Sequence, residues 1–211
     1  MHKDSVPLFP QGVVSQYQHQ YYSLDVSKLS DIEVGEPLNG VLTSQIASKR
    51  NENILDLPVF EKIKEFILES VKHHLEHVEM FEYDDFWFTS SWINFCEPGG
   101  WQDYHNHANA ILSGCYYIKA DDTMPGLVFK KIELDSHQFF ATYTKVNQPH
   151  KANKIELKVR TGSLVIFPSY MVHGHESNTT NETRIGIAFN ILINQPEDKA
   201  PPGWYHIKFA R

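Results

Sequence analysis

Two histidines stand one residue apart in the segment GGWQDYHNHANAILSGCYYI, residues 99–118. Side chains two positions apart on an extended strand point to the same side, so His105 and His107 can reach one metal ion together. Neutral imidazole is a common ligand for iron and other transition metals. The spacing therefore predicts part of a metal site on a strand, and Asp103 shares the parity of the pair.

A third histidine and an arginine accompany two later apolar runs. His173 follows GSLVIFPSYMV, and Arg184 opens RIGIAFN. Alternation along that second run places Arg184 on the same side as Gly186, Ala188 and Asn190, whereas the isoleucines and Phe189 point to the other side. A guanidinium beside small residues suits the carboxylate of a small anionic molecule. The sequence thus predicts a metal site and an anion site in one protein.

The elements that must position these residues are mainly β-strands. After residue 84, the runs between turn residues are rich in β-branched and aromatic side chains: FWFTSSWINF, AILSGCYYI, GLVFKKIEL, HQFFATYTKV, KIELKVRTGSLVIFP and TRIGIAFNILI. Such a series without intervening helices indicates an antiparallel sandwich or barrel. Upstream, the apolar spacing in NILDLPVFEKIKEFILESVKHHLEHVEM predicts an amphipathic helix with Asp56 as N-cap and Pro58 in its first turn.

Length and composition fit one globular domain. The chain has 211 residues, of which 41% are hydrophobic and 21% charged, and a net charge of −7 that argues against a nonspecific nucleic-acid or anionic-membrane binder. We predict a single domain over 1–211, with N-terminal strands and a supporting helix in 1–83 and the metal site in 84–211. Cys96 and Cys115 are expected to be reduced thiols, and the N-terminus has no leader-like pattern, so we expect a cytoplasmic location.

These motifs resemble the Fe(II)/2-oxoglutarate-dependent dioxygenases, in particular the prolyl-hydroxylase-like branch and a group of uncharacterised oxygenases with the pattern HxH…SGxYY…FPS…H…R. The resemblance covers roughly residues 88–193. It implies a mainly β fold, the double-stranded β-helix or jelly roll, here with a flanking N-terminal α-helix. It also implies Fe(II) and 2-oxoglutarate as cofactors. The implied reaction is decarboxylation of 2-oxoglutarate to succinate, coupled to hydroxylation of a substrate C–H bond.

The resemblance assigns roles residue by residue. EPGGWQDYHNH places His105 at the first metal ligand and His107 where the family has an aspartate. FPSYMVH places His173 at the distal ligand, and ETRIGIAF places Arg184 at the anchor for the far carboxylate of 2-oxoglutarate. Asn94, in WINFCEPGG, resembles a strand asparagine that contacts the cosubstrate in some relatives.

A tyrosine hydroxyl is a further candidate contact to the cosubstrate. The motif supplies Tyr116 and Tyr117, between which the sequence does not choose. Tyr117 is our candidate for the cosubstrate contact.

His107 departs from the family pattern. Three imidazoles would leave the metal one unit more positive than two imidazoles and a carboxylate. Asp103 and Glu176 are the alternative carboxylates, although neither has the matched spacing. His175 shares the parity of His173 and is expected to support the site or to face solvent.

Two other functions compete with this interpretation. GGWQDYHNH and GSLVIFPSYMVH also fit the motifs of cupins, some of which use three histidines in dioxygenases without 2-oxoglutarate, but the customary glutamate after HxH is missing and Tyr170 replaces a usual glycine. The third function is a non-enzymatic β-sandwich binding module with structural histidines. The placement of Arg184 favours the 2-oxoglutarate-dependent enzyme.

The substrate class stays open at the level of sequence. Trp92, Trp101, Tyr104 and Tyr170 are candidates to line a pocket for a small molecule or a peptide, and the acidic balance disfavours nucleic acid. By analogy with other jelly rolls, free edge strands leave a homodimer open.

Overall fold

The computed structural model of the chain describes residues 12–29, 32, 45–47, 53–131 and 154–196. The predicted strand HQFFATYTKV and almost all of the C-terminal tail lie outside these residues. No described helix is both long and apolar enough to cross a bilayer.

Within the described residues, ten strands form two antiparallel sheets. The larger sheet has the order β1-β8-β5-β10-β3-β2 and the smaller one the order β4-β9-β6-β7. This arrangement confirms the mainly β jelly roll. The strand bounds are β1 Ser15–Gln18, β2 Gln45–Ala47, β3 Asp85–Cys96, β4 Gln102–His105, β5 Leu112–Lys119, β6 Leu127–Lys130, β7 Lys154–Leu157, β8 Ser163–Pro168, β9 His173–His175 and β10 Arg184–Asn194.

The longest helix covers one side of the larger sheet. Helix α1 (Glu61–His73) continues into a π-helical turn, His74–Val78. Apolar side chains of the helix form one buried cluster with alternate residues of β10, which confirms the predicted two-sided pattern of that strand. The cluster includes Phe60, Ile63, Ile67, Val71, Leu75, Ile185, Ile187, Phe189 and Ile191.

The predicted start of the helix is wrong. Asp56 ends a separate 3-10 turn, Ile54–Asp56, and a second 3-10 turn, Pro58–Phe60, leads into α1 with Phe60 at the N-cap position. Leu57 between the two turns is extended, as expected for the residue before a proline. The Asp56 carboxylate instead accepts a 2.7 Å hydrogen bond from Lys64 Nζ.

One predicted strand is two strands. KIELKVRTGSLVIFP divides into β7 and β8, which belong to different sheets. Gly162 lies in the turn before β8 with a φ of +83°, and a Cβ there would approach the carbonyl oxygen of His19 to 2.8 Å. Only glycine meets both requirements, so this turn is set by a single residue.

Candidate functional site

Three histidines converge on the smaller sheet. His105 ends β4 and His173 begins β9, and these two residues are direct partners across the antiparallel pair. His107 follows two residues after β4, where its backbone N–H donates to the carbonyl oxygen of Ser169 at 2.9 Å. One nitrogen from each ring lies within 4.8 Å of the other two. The structure therefore brings together the three residues that the sequence predicts as metal ligands.

Hydrogen bonds fix which nitrogen two of the rings present. His105 Nδ1 lies 2.8 Å from the carbonyl oxygen of Asp103, and His173 Nδ1 lies 2.8 Å from that of Met171. A carbonyl oxygen only accepts, so each neutral ring carries its proton on Nδ1 and keeps the lone pair on Nε2. Metal-binding histidines have this arrangement, in which the second nitrogen holds the ring in place.

Burial keeps two of the rings neutral. It lowers the pKa of His173 to about 3, reinforced by the neighbouring histidines, although the bond to the Met171 carbonyl opposes the shift. Burial lowers the pKa of His107 to about 4, and His105 adds to this effect. Both rings are thus in the deprotonated form that a metal requires near neutral pH.

Carboxylates do not join the cluster within the described residues. The group that could hold a metal there consists of the three histidines alone. Asp103 is exposed and contributes its carbonyl oxygen instead. Glu176 accepts a 2.7 Å hydrogen bond from the Tyr104 hydroxyl and another from Lys154 Nζ. Neither alternative carboxylate replaces His107 in this geometry.

Arg184 places a buried cation in the cavity that the histidines line. Its side chain is 6% exposed and donates to the carbonyl oxygens of Pro125 and Gly126. The guanidinium carbon lies 5.4 Å from the centre of the Tyr117 ring. Among the ion pairs within the described residues, none includes Arg184. Carbonyl dipoles alone do not neutralise a buried charge, so the cavity favours an anion.

Two polar atoms of β3 face the same cavity without a partner. Asn94 Oδ1 and Trp92 Nε1 are buried and make no hydrogen bond. A buried polar atom without a partner is costly, so this wall is suited to a ligand that carries both an acceptor and a donor.

The two tyrosines of β5 face opposite sides of the larger sheet. Tyr117 lines the cavity, and its hydroxyl is fully buried with a pKa well above the ordinary value, so it stays protonated. Tyr116 belongs to the cluster under α1, where its hydroxyl lies 3.2 Å from His19 Nδ1. The geometry therefore favours Tyr117 as the candidate cosubstrate contact.

One cavity gathers all six predicted site residues: Asn94, His105, His107, Tyr117, His173 and Arg184. His175 also lines it and is 4% exposed, which excludes the solvent-facing alternative. Burial, with a contribution from Arg184, lowers the pKa of His175 to about 3. Sequence reasoning missed Gln102, because its place in the cavity depends on its pairing with His175 across β4 and β9, which no local pattern shows.

A family model and solved structures match the chain. Residues 90–190, which include all six predicted site residues, match the family described as "Putative 2OG-Fe(II) oxygenase". Over this segment, the match confirms the resemblance that the motifs indicate. The family's cofactors are Fe(II) and 2-oxoglutarate, as the motifs implied. A comparison with curated proteins finds no match.

Three solved structures share the fold. HygX from Streptomyces hygroscopicus, with nickel, 2-oxoglutarate and hygromycin B bound, has a TM-score of 0.54 at 11% identity and covers 92% of this chain and 85% of its own. The carbocyclase SnoK from nogalamycin biosynthesis has a TM-score of 0.57 at 11% identity, covering 90% and 85%. A Pseudomonas putida prolyl-4-hydroxylase has a TM-score of 0.53 at 13% identity, covering 84% and 91%. At these identities the likeness establishes the fold alone.

Proposed function

We propose that this 2OG-Fe(II) oxygenase is a hydroxylase, in which His105, His107 and His173 hold Fe(II) and Arg184 binds the far carboxylate of 2-oxoglutarate. The observation that carries the proposal is the cavity itself. It combines three converging imidazoles with a buried guanidinium that has no carboxylate partner in the described part of the chain.

The donor set fits the metal. Two rings are held by carbonyl oxygens so that Nε2 faces the cluster, and the third is fixed through its backbone at Ser169. Imidazole nitrogens suit Fe(II), and three ligands leave coordination positions for a bidentate 2-oxo acid. Bound Fe(II) and 2-oxoglutarate would supply the electrons that activate O2, so that one oxygen atom enters the C–H bond and the other enters succinate.

The remaining residues bind and orient the cosubstrate. Arg184 offers a planar fork of donors to a carboxylate, and the protonated Tyr117 hydroxyl lies on the same wall. Trp92 Nε1 would gain an acceptor from the cosubstrate, and Asn94 would donate to it through its side-chain amide N–H, because the oxygens of 2-oxoglutarate only accept. The cavity between these side chains has a volume of about 40 Å³, which is room for a few waters.

The deciding experiment is an anaerobic titration of 2-oxoglutarate into the Fe(II)-loaded protein, followed by the visible metal-to-ligand charge-transfer band. We expect the band in the wild type, and we expect Arg184→Ala to weaken 2-oxoglutarate affinity by roughly tenfold or more, the size of a lost charge-assisted hydrogen bond. Arg160→Ala is the matched control, because Arg160 is exposed and bonds only to Gln18 through its side chain.

A second candidate function is a three-histidine dioxygenase that does not use 2-oxoglutarate. The absence of a carboxylate from the described metal cluster favours it. Metal binding without a charge-transfer band would support this candidate. Absence of metal binding would leave a non-enzymatic binding module.

The position of His107 supplies a second test of the ligand assignment. His107→Asp restores a carboxylate at the position where the resemblance places one, and we expect this variant to retain Fe(II). A folded His107→Asp protein that no longer binds Fe(II) would contradict the assignment of His107.

Several predictions accompany the proposal. The single domain over 1–211, with the metal site in 84–211, stays a prediction. A cytoplasmic location is supported by Cys96 and Cys115, which are free thiols. The substrate class is a small molecule or a peptide. A homodimer stays a prediction that sedimentation velocity would test.

A further inference from the structure

A second pocket lies beside the metal cluster. It has a volume of about 290 Å³ and is lined by Glu79, Phe81, Asn106, His107, Ala108, Ala110, Ile111, Leu112, Pro168 and Tyr170. His107 also lines the first cavity, so this ligand candidate forms a wall between the two spaces. The volume is at the lower end for ligand pockets and suits one side chain or one small molecule.

Glu79 is the single ionisable acid among the described residues that line this pocket, and its nearest basic neighbour is a histidine. Its Oε1 atom is buried without a hydrogen-bond partner, and the nearest basic atom, His74 Nε2, is 3.5 Å away. His74 is fully buried, which lowers its pKa to about 4, so this ring is neutral near neutral pH. Burial also raises the pKa of Glu79. The carboxylate therefore lies in an environment that penalises its charge.

The backbone makes the position of Glu79 still less favourable for an acid. Glu79 caps the C-terminal end of the helical segment, where its N–H donates to the carbonyl oxygen of His74 at 2.9 Å. The helix dipole is negative at this end and favours cations. Among the described residues that line the pocket, there is no lysine or arginine to compensate. Stability therefore gives no reason for a glutamate here, whereas binding of a cation does.

We propose that this pocket binds the ammonium group of an amine-bearing substrate, with Glu79 as its counterion. The apolar residues between Glu79 and His107 would contact the carbon stem. The exposed ring of Tyr170 lies on the rim, where it would cover the bound group. The assignment of this pocket to the substrate rests on the proposed function. As a metal ligand that also lines this pocket, His107 would place the carbon stem of the substrate next to the metal.

The test is ligand-observed NMR titration of the full chain. The probes are Nα-acetyl-lysine methylamide, the same compound with norleucine in place of lysine, and n-pentylammonium as a free amine. Each is titrated into chelator-treated protein and, separately, into protein with Ni(II) and 2-oxoglutarate. Glu79→Gln removes the charge at nearly constant shape. Glu76→Gln is the matched control, since Glu76 lies in the same helical turn but outside this pocket.

We expect both ammonium probes to bind the wild type and Glu76→Gln, and to bind Glu79→Gln roughly tenfold more weakly. The norleucine compound should bind weakly and equally to all three proteins. Stronger binding of the lysine compound than of pentylammonium would indicate a peptide substrate, and the reverse a free amine. Equal affinity of the ammonium probes for wild type and folded Glu79→Gln would overturn the proposal. The chelator-treated arm reports on Glu79 even if the metal assignment fails.

Discussion

Ile187 and Ala188 are neighbours on β10, yet they face two different regions of the molecule. Ile187 is fully buried against the side chains under α1, in a cluster built almost entirely from apolar residues. Ala188 lines the cavity between the sheets, together with histidines, Arg184 and Asn94. The helix side of the larger sheet is thus filled mainly with hydrocarbon, whereas the cavity side is lined by histidines, a guanidinium and two polar atoms that lack partners.

This difference divides stability from chemistry. Close-packed apolar side chains contribute most of the free energy of folding. Unpartnered polar atoms such as Asn94 Oδ1 and Trp92 Nε1 cost stability, and they are retained where a ligand supplies the missing bonds. We therefore expect substitutions on the cavity side to change ligand binding more than stability, and substitutions on the helix side to do the reverse.

The largest expected effect comes from the cavity side, at His173. His173→Ala removes one of three converging ligands, and we expect metal affinity to fall by more than about a hundredfold. Loss of a residue that only hydrogen-bonds to a metal ligand already lowers metal affinity by up to about a hundredfold. Fe(II) or Ni(II) content after dialysis measures it. His73→Ala is the control, because His73 lies on the helix outside the cluster. Equal metal content in His173→Ala and wild type would contradict the ligand assignment.

The next largest effect is on the helix side. Ile187→Ala leaves a cavity in a fully buried cluster, and we expect the free energy of unfolding to fall by about 3 kcal/mol. Urea denaturation measures this loss, and Ile155→Ala, at a side chain that is 37% exposed, should cost far less. Metal content at low urea should stay unchanged in both variants. A loss of metal from folded Ile187→Ala would mean that the two sides are coupled.

Which residues of a strand face the cavity can be predicted from the sequence where large apolar residues alternate with small or polar ones. On β10, small residues and Arg184 alternate with large apolar residues, so the two sides can be separated by parity alone. On β5, parity does not help, because Tyr116 and Tyr117 are both 1% exposed and the strand is buried on both sides. Choosing between them needs the register with β10, where a bulge lies between Ile185 and Gly186.

The pairing of strands that are distant along the chain cannot be predicted from the sequence patterns. His173 begins a three-residue strand too short to be recognised, and only its pairing with β4 places it opposite His105. The role of Glu79 is hidden for the same reason, because His107 and Tyr170 join it in one pocket from distant segments. The prediction of Asp56 as the N-cap is wrong for a local reason. Pro58 favours an extended Leu57, and a second turn then precedes α1.

A moderate effect is expected from pH, because the helix side also buries a histidine. The pKa of His74 is about 4 in the folded state and about 6.5 when unfolded, so the unfolded state binds more protons between these values. The contribution of neutral His74 to the free energy of unfolding is therefore fully present above about pH 6.5 and is lost as the pH falls toward 4.

The measurement is urea denaturation of chelator-treated protein at pH 7 and pH 4.5. We expect the free energy of unfolding of the wild type to fall by roughly 2 kcal/mol more than that of His74→Gln between pH 7 and pH 4.5. The buried histidines of the cavity side are the same in both proteins, so the difference isolates His74. His77→Gln is the control on the same turn. An identical acid loss in wild type and His74→Gln would show that the helix side does not contribute to pH sensitivity.

The smallest effect is expected from a buried hydrogen-bond chain on the cavity side of the larger sheet. Ser113 Oγ donates to Asn190 Oδ1 at 2.7 Å and lies 2.9 Å from Ser169 Oγ, while the Ser169 carbonyl oxygen holds the backbone of His107. Ser113→Ala should cost about 1 kcal/mol of unfolding free energy, the usual size of one buried hydrogen bond. Metal affinity should fall by less than tenfold, because the backbone bond that positions His107 remains. Ser177→Ala, at an exposed serine, is the control for both measurements. A metal loss as large as that of His173→Ala would mean that the serine chain, and not the Ser169 carbonyl alone, positions the third ligand.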